Sequence, residues 1–535
     1  MTLSSQRGRP GSRWTWVDLR LVPVAATVWG TCLAAPYLSP LWLGAGAAGT
    51  TTLAVVIATL TWRRAGAAST VVLGVLAALA VTALMATVRG AAREASPLRT
   101  LAESGQAVTV VLHLDGEPHR LTGPGVPRFI ADARVSTLVE GTRTFRLDAP
   151  VLLFAAGEEW ADVPPGEAVR TRVGTSLPRP GDDVVAVVAA RGPLRTVAPA
   201  GELQRVAAAL REGLGASAER VLDARPAGLL PGLVVGDTGA LDPMLAADFK
   251  RAGLTHLTAV SGANVAIVLT GVLWPLRRRA VDRRVQAVVA GLALAGFVVL
   301  AGPGASVVRA AVMGAVTLVA LASGRQRAAV PALGAAVCVL LLHDPGLARD
   351  AGFALSVAAT AAIVLLAPGW SRRLRERSWP AVLADAVAVS AAAGLATAPL
   401  VAGLSGTISL VSLPANLLAA PAVAPATVLG LLATLLAAVV PRAADGLVWL
   451  AGWPVRWLVL VAERAAAVPD ATGGWPAGMT GAVLLGLLLL VAGLALWRVP
   501  RLRPLALAAV VGLVVLGWPV RQTIRGWPLD GTVVV

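Results

Sequence analysis

The sequence is poor in the residues that build disulfides, metal centres and nucleotide sites. It has two cysteines, Cys32 and Cys338, both in apolar segments, so two buried, inert thiols are expected and a disulfide framework is not. The four histidines are scattered and form no metal-ligand cluster. No GxxxxGK[ST] loop is present. We therefore predict no cofactor, and any energy input must come from a partner or a gradient.

Charged residues are also scarce, at 14% of the chain, and Lys250 is the only lysine. Hydrophobic residues make up 56% of the 535 residues, and the mean hydropathy is +0.74. These values lie outside the range of soluble globular proteins and predict a multi-span membrane protein. The net charge of +16 does not by itself indicate nucleic-acid binding, because basic residues beside spans also set membrane topology.

Three apolar runs open the chain, at about residues 21–38, 41–62 and 69–88. Each has about the length that crosses a bilayer, roughly 20 residues. Arg63 and Arg64 separate the second run from the third. Because cytoplasmic loops are rich in Arg and Lys, we expect the amino terminus in the cytoplasm and the third span to exit outward. Residues 1–93 are thus predicted to be an anchor of three transmembrane helices.

Residues 94–200 change to short β-like runs separated by Gly and Pro turns, which predicts a small β-barrel outside the membrane. The stretch from residue 101 to residue 200 holds 10 arginines and 12 acidic residues, so its surface is not basic. Its aromatic residues, such as Phe129, Phe154 and Trp160, form no evident base-stacking platform. We therefore favour a structural or partner-docking role over direct contact with nucleic acid. Residues 201–232 follow as an amphipathic linker helix.

The chain is organised around residues 233–274, where a polar turn and a short helix lead into an apolar run. Asp242 is a good N-cap, and Gly253 fits just past the end of the helix that follows it. Residues 254–274 have the length of a membrane span and still carry polar side chains. Polar groups at that depth require a structural or functional reason.

Ser261 and Gly262 form a weak point in this span, because Gly lowers helix propensity and Ser can bond the backbone. Interrupted helices at membrane depth are tolerated only where they are buried in protein or line a watery cavity. On a continuous helix, His256, Ser261 and Asn264 would share one face towards a pore or partner helices. Alternatively, the small residues allow close helix packing and Asn264 forms an interhelical hydrogen bond.

The blocks GDTGALD at residues 236–242 and FKRAGLTHLTAVSGANV at residues 249–265 resemble the signature of the ComEC-type competence proteins. This is the polytopic channel family that carries transforming DNA across the bacterial inner membrane. The resemblance marks Gly236, Asp237, Asp242 and Gly253 as structural motif residues. Asn264 departs from the family pattern, which most often has His there, so no role that needs an imidazole transfers to it.

Two later blocks carry the same resemblance. The family pattern of an Arg-Ala pair followed by Met is matched around Arg309, for which we expect a pore or packing role, with a passing phosphate as a natural partner. The block HDPGLARDAGFALS contains the further motif residues Asp350, Gly352, Phe353 and Ser356. Helix capping explains Asp350 without catalysis.

A second interrupted, polar segment is predicted from residue 397 to residue 421, around Asn416. Two such segments are the best indication of a transport path that one sequence can give. With the remaining apolar runs they bring the predicted number of spans to roughly ten or more. Residues 233–520 are accordingly predicted to be the transmembrane channel core.

The predicted fold is a polytopic α-helical membrane protein with an inserted extracytoplasmic β-barrel, for which the resemblance implies an OB-like fold. The predicted function is an inner-membrane channel for uptake of single-stranded DNA during natural competence, without enzymatic activity. Candidate pore or gate residues are His256, Ser261, Gly262, Asn264, Arg309 and Asn416. One alternative is a secondary transporter of a small polar or lipid-linked solute. Another is a membrane-embedded hydrolase using Ser261 with His256 or Asp237, which lacks a convincing nucleophile elbow.

The resemblance also implies partners. These are single-stranded DNA, membrane lipid, a DNA-receptor protein outside and a cytoplasmic helicase-like motor, with a homo-oligomer left open. Longer family members continue into a metallo-β-lactamase-like domain proposed to degrade the non-transported strand. We expect residues 521–535 to be a carboxy-terminal tail where such a domain would start, and nuclease chemistry to reside elsewhere.

Overall fold

The structure, a computed structural model, describes residues 18–498 with the exception of ten short gaps. The gaps are residues 62–66, 117, 122–125, 141–142, 162, 180, 200, 259, 303–304 and 323–328. Two units are distinguished by their internal contacts. They are Met1–Gly394 with Ser409–Thr472, and Leu395–Ile408 with Gly473–Val535.

Four helices precede the sheet, and the first three are composed largely of Ala, Val, Leu, Gly and Thr. They are α1 (Leu21–Ala34), α2 (Pro40–Thr61), α3 (Ala67–Glu94) and α4 (Pro97–Ser104). A short 3₁₀ turn, Ala35–Tyr37, follows α1. The amphipathic helix α4 buries Leu98 and Leu101 in the core of the sheet and ends at Gly105, whose φ is +65°. A left-handed glycine is a common helix terminator.

Seven strands form a mixed sheet between α4 and the next helix. They are β1 (Ala107–Leu114), β2 (His119–Leu121), β3 (Arg128–Glu140), β4 (Arg143–Ala156), β5 (Ala168–Ser176), β6 (Ala186–Ala190) and β7 (Arg195–Ala198). Buried residues alternate along β1, so Val108, Val110 and Leu112 face one core, as expected for strands covered on one side. The sequence-based prediction of a β region here is confirmed as a mixed sheet.

The strand pairings close on themselves. β1 pairs with both β3 and β5, β3 pairs with β4, and β5 pairs with β6, all antiparallel. β4 and β6 complete the cycle as a parallel pair, while β2 adds to β3 and β7 adds to β5. Five strands are therefore linked in one ring of hydrogen-bonded neighbours.

The rest of the described chain is helical except for two short strands that pair with each other. Its first elements are α5 (Glu202–Val221), α6 (Ala224–Val235), α7 (Pro243–Arg251), α8 (Gly262–Arg278), α9 (Arg283–Ala301), α10 (Ala305–Ala322), α11 (Ala329–His343), α12 (Ala351–Leu365) and α13 (Ala367–Arg375). The last are α14 (Ala381–Ser405), β8 (Thr407–Ser409), α15 (Ser412–Ala437), α16 (Pro441–Ala466), β9 (Thr472–Gly474) and α17 (Gly478–Arg498).

Helix α6 lies at the centre of the largest apolar core. Every residue from Pro226 to Val235 is buried, and the core around it is built from α5, α7, α15 and α16. A helix that is apolar on all sides is expected to be buried on all sides. At Gly232, an added Cβ would come within 2.8 Å of the Thr258 carbonyl oxygen, so this glycine permits the chain to pass close to α6.

Seven described helices, namely α2, α3, α9, α14, α15, α16 and α17, contain stretches long and apolar enough to cross a membrane. The bent pair α12 and α13 would make an eighth span, and four further apolar helices are shorter. The prediction of a polytopic helical membrane protein is confirmed. The predicted number of roughly ten or more spans exceeds this count and stays a prediction.

In the second unit, α17 packs closely against the end of α14. An added Cβ at Gly403 would lie 2.8 Å from both the Gly478 carbonyl oxygen and the Ala482 Cβ. The Trp475 backbone N–H donates to the Gly406 carbonyl at 2.8 Å, and its indole N–H donates to the Gly481 carbonyl at 2.9 Å. Small residues thus allow two apolar helices to approach within this unit.

Candidate functional site

The first interruption of a helix lies between α7 and α8. Asp242 caps α7 through the Met244 N–H at 3.0 Å, and Gly253, with a φ of +71°, follows its end, so both predicted helix signals are confirmed. A 3₁₀ turn, Thr255–Leu257, comes next, and α8 begins only at Gly262. Residues 254–274 are therefore not one helix, and the break falls where Ser261 and Gly262 predicted it.

Asn264 fastens this interruption to the central helix α6. Its side chain is 1% exposed, and its Nδ2 donates to the Leu233 carbonyl at 2.6 Å. The Ser261 hydroxyl donates to the Asn264 Oδ1 at 3.4 Å. The geometry matches the hydrogen-bonding alternative for Asn264, because the amide links protein segments within the core.

A serine of α10 supports the interruption from another side. The Ser306 hydroxyl donates to the Val260 carbonyl at 3.0 Å. A buried carbonyl outside a helix needs such a donor. The break is thus held by the Ser306 side chain of α10 and by the hydrogen bond from Asn264 to the backbone of α6.

The second predicted interruption falls between α14 and α15. The first of these helices ends at Ser405, strand β8 follows, and α15 begins at Ser412. Because α14 and α15 are each long and apolar enough to cross a membrane, this segment connects two complete candidate spans and the predicted broken helix is not observed. Asn416 lies in the first turns of α15. That helix continues to Ala437 with two internal prolines.

The connection between α7 and α8 contacts the connection between α14 and α15. The Ser409 hydroxyl donates to the Arg251 carbonyl at 2.9 Å, and the Asn416 Nδ2 lies 3.4 Å from the Gly253 carbonyl oxygen. An added Cβ at Gly253 would lie 2.5 Å from the Ser412 Oγ and 2.7 Å from its Cβ. No larger side chain fits there without a shift, so the contact itself explains the glycine.

Arg309 is occupied by a carboxylate. Its side chain is 9% exposed, and its Nη1 donates to the Asp350 Oδ1 at 3.0 Å. The same oxygen accepts the Phe353 backbone N–H at 2.6 Å, which confirms Asp350 as the cap of α12. An added Cβ at Gly352 would lie 3.1 Å from the Arg309 Nη2. Asp350 and Gly352 thus form the surroundings of the Arg309 guanidinium. Ser356 lies one turn further along α12 and is half-buried.

The six candidate gate residues divide by exposure. His256 and Gly262 are exposed, Ser261 and Asn416 are half-buried, and Asn264 and Arg309 are buried. The exposed pair has the least surface covered by the rest of the described chain. The structure brings Ser261 and Asn264 together and leaves Arg309 with Asp350.

The geometry does not assemble a nucleophile and a base around Ser261. Its hydroxyl donates to Asn264, and within the described residues no hydrogen bond joins it to His256 or to Asp237. The Asp237 carboxylate instead accepts the Gly239 N–H at 3.0 Å, in a local turn. Over the same described part of the chain, no three His, Cys, Asp or Glu side chains are placed to hold a metal ion.

Sequence reasoning missed the ion pairs that fix the amino-terminal end of α6. Arg225 forms an ion pair with Glu463 of α16 and lies 3.5 Å from the Asp242 Oδ2. Asp223 pairs with Arg456 of α16 at 3.1 Å. A usable signal was present, because Arg456 lies among the apolar residues of the sequence that forms α16 and a charge there requires a partner.

These features define a multi-pass helical membrane protein in which the connection between α7 and α8 contacts the connection between α14 and α15. The family model described as "Competence protein" matches residues 233–500, which is half of the chain. The chain therefore belongs to the family of ComEC-type competence proteins. Both connections lie inside the matched region.

One similar protein is ComE operon protein 3 of Bacillus subtilis (strain 168), which is 30% identical over 195 residues. That alignment covers 36% of this chain and 24% of the relative, so the chain matches about a quarter of the relative's length. No solved structure matches the chain.

Proposed function

We propose that this protein forms the inner-membrane path through which single-stranded DNA is taken up during natural competence. The observation that carries the proposal is the contact between two non-helical connections within the competence-family region, at Gly253 and Asn416. Irregular backbone enclosed by protein is where membrane transporters commonly place their substrate paths. The exposed His256 and Gly262 lie on the first interruption and are the gate candidates that the path would reach.

Asn264 and Arg309 then serve as wall residues. The Arg309 guanidinium pairs with Asp350 through its Nη1, and its buried Nε has no hydrogen-bond partner among the described residues, so a passing phosphate would have to compete with the ion pair. Asn264 is committed to the Leu233 carbonyl in the same way. We therefore divide the candidates into gate residues and wall residues by their exposure and by the hydrogen-bond partners that each one has.

The proposed topology has a cytoplasmic amino terminus and an extracytoplasmic β domain. Its support is the positive-inside rule applied to Arg63 and Arg64, together with the basic turn at residues 277–284 between α8 and α9. Within this scheme, residues 1–93 form the membrane anchor, residues 94–200 the outer domain, residues 201–232 the linker and residues 233–520 the channel core. The predicted tail, residues 521–535, and the end of the core lie outside the described residues.

The outer domain is proposed to be an OB-like barrel with a docking role. The closed ring of five strand pairings supports this fold, since OB-folds are five-stranded barrels. Trp160 and Phe129 are buried, so neither ring offers a face for base stacking. We therefore propose that the domain binds a DNA-receptor protein outside the membrane. A cytoplasmic helicase-like motor would pull the strand through.

The decisive experiment follows labelled DNA into cells that lack their own ComEC-type channel and express this chain, with its membrane level measured. Restored uptake of DNA, together with unchanged uptake of small polar solutes, is the expected result. Solute uptake without DNA uptake would instead establish the secondary transporter. The Gly253→Ala variant, described below, must abolish the DNA signal while an equally expressed Gly271→Ala control retains it.

A further inference from the structure

A cavity of about 390 Å³ lies where the β domain meets the ends of the first helices. Its walls come from the turn after α1, the start of α2, the end of α3, the loop between β5 and β6, and the 3₁₀ turn Pro345–Ala348. This cavity is separate from the α7–α8 and α14–α15 connections, and the competence function does not account for it.

The cavity carries more positive than negative charge. Three acidic residues, Glu94, Asp182 and Asp183, line it. Five arginines also line it, namely Arg89, Arg93, Arg99, Arg179 and Arg349. An excess of guanidinium groups in a confined space attracts an anion, and the fixed fork of each group matches carboxylate or phosphate oxygens.

Some of these arginines already have ion-pair or hydrogen-bond partners within the protein. Arg93 forms an ion pair with Asp183. Arg349 donates to the Gly181 and Leu33 carbonyls, and its guanidinium lies 5.4 Å from the centre of the Tyr37 ring. These contacts build a rigid wall and leave other donors for a ligand.

Arg89 is incompletely satisfied. Its Nη2 donates to the carbonyls of Leu342 and His343, both at 2.9 Å, which fixes the plane of the guanidinium. Its Nη1 is buried and has no hydrogen-bond partner among the described residues. A buried donor of a charged group without an acceptor is costly, and a bound anion would supply the acceptor.

Part of the cavity lining is apolar and lies close along the chain to exposed aromatic side chains. Leu38, Leu43 and Ala86 contribute to the lining. Just outside, Tyr37 is 72% exposed and Trp42 is 74% exposed. Exposed Tyr and Trp at the ends of apolar helices are typical of the level where lipid tails give way to headgroups.

We propose that this cavity binds the phosphate of an anionic phospholipid headgroup. The arginine wall receives the phosphate, and the leucine wall receives the glycerol and the first part of the acyl chains. A nucleic-acid strand would place sugars and base edges against that apolar wall, so a lipid is the better match. The excess positive charge selects a net negative headgroup over a zwitterionic one. The proposal does not depend on the transport function.

The test measures binding of dioctanoyl phosphatidylglycerol to the purified full chain in uncharged detergent. Dioctanoyl phosphatidylcholine, inorganic phosphate and a single-stranded oligonucleotide are parallel probes. We expect phosphatidylglycerol to bind at least about tenfold more tightly than phosphatidylcholine, and Arg89→Gln to weaken it by about tenfold. The exposed Arg372→Gln, on α13, is the matched control and must leave the affinity unchanged.

Arg89 also supports the carbonyl end of α11, so Arg99→Gln provides a second variant if Arg89→Gln does not fold. Loss of phosphatidylglycerol selectivity in either folded variant supports the lipid site. Equal binding of both lipids to the wild type, or an Arg99→Gln affinity equal to that of Arg372→Gln, would overturn it. Binding of inorganic phosphate alone would reduce the cavity to a free-anion site. Displacement by the oligonucleotide would assign it to DNA.

Discussion

Arg309 on α10 and Asp350 at the start of α12 form an ion pair whose two members differ sharply in exposure. The arginine side chain is 9% exposed and the aspartate side chain is 42% exposed. The Asp350 carboxylate can therefore be solvated without its partner, whereas the Arg309 guanidinium cannot. Loss of one member of a buried pair is costly in proportion to the burial of the charge that remains.

We predict that Asp350→Asn destabilises the protein more than Arg309→Gln. Asparagine preserves the helix cap at Phe353 but leaves the buried guanidinium unpaired, with an expected loss of about 2–4 kcal/mol. Arg309→Gln leaves a half-exposed carboxylate, with an expected loss of about 1–2 kcal/mol. The measurement is the thermal unfolding of each detergent-solubilised variant. The double variant Arg309→Met with Asp350→Asn should recover part of the loss, and equal melting temperatures for the two single variants would contradict the argument.

Gly253→Ala is predicted to separate the α7–α8 connection from the start of α15. The new Cβ meets Ser412, and a left-handed φ of +71° costs a non-glycine residue about 1–2 kcal/mol before any clash. We expect a lowered melting temperature and loss of DNA uptake at normal membrane levels. Gly271, on α8, has open space at its Cβ position and provides the control Gly271→Ala.

Removing the obstructing side chain tests whether the clash is the cause. Adding Ser412→Gly to Gly253→Ala should restore part of the stability, because only the backbone cost then remains. An identical loss in the single and the double variant would show that the contact with Ser412 is irrelevant.

His256 is predicted to be accessible to water in the membrane-embedded protein. The chain has two cysteines, so Cys32→Ala with Cys338→Ala gives a background for single thiols. In that background, H256C should react with a charged, membrane-impermeant thiol reagent, because a thiolate forms only where water is present. Val288, 61% exposed on the apolar helix α9, is expected to face lipid, so V288C should not react. Protection of H256C by a DNA strand stalled during uptake would place the strand at this residue.

The β domain is predicted to carry a pH-dependent stability term at Asp183. Burial raises the pKa of this carboxyl above its usual value of 3.8, while the nearby Arg93 opposes the shift. A carboxyl with a raised pKa in the folded state contributes stability below about pH 3.8, and this contribution is lost as the pH rises through the folded-state pKa. The asparagine of Asp183→Asn cannot ionise, so this variant does not lose stability at this position as the pH rises.

The melting temperature of Asp183→Asn relative to the wild type should therefore increase as the pH rises above about 3.8 through the raised folded-state pKa, and then level off. Ser176→Ala, an exposed and non-titratable change in the same domain, serves as the control and should give a flat difference. A difference for Asp183→Asn that falls with pH would reverse the assigned direction.

The sequence predicted features whose cause is local and missed those whose cause is distant. The caps at Asp242 and Asp350, and the helix break at Gly262, follow from residues within a few positions along the chain. The partner of Arg309 lies 41 residues away, and one of the partners of Asn416 lies 163 residues away, where no periodicity links them. The shorter hydrogen bond of Asn416 is local, to the Ser412 carbonyl at 2.8 Å. From sequence alone we proposed a passing phosphate as the partner of Arg309. The actual partner, Asp350, was overlooked because helix capping already accounted for it.

The central position of α6 was likewise not predicted. Its sequence, with Pro and Gly between leucines, has no amphipathic period from which a buried face could be assigned. Burial on every side is visible only once α5, α7, α15 and α16 surround it. The closed ring of the β domain also needed the pairing of β1 with β5, since strand patterns alone do not give neighbours.

The contact of Ser409 and Asn416 with the segment at Arg251 and Gly253 can form only late in synthesis. The joined residues are separated by 158 and 163 positions along the chain. At a translation rate of roughly 5–20 residues per second, the first interruption waits on the order of ten seconds for its partner to leave the ribosome. During that interval the Arg251 and Gly253 carbonyls lack these two donors, so the first segment reaches its final hydrogen bonding only after the start of α15 has been made.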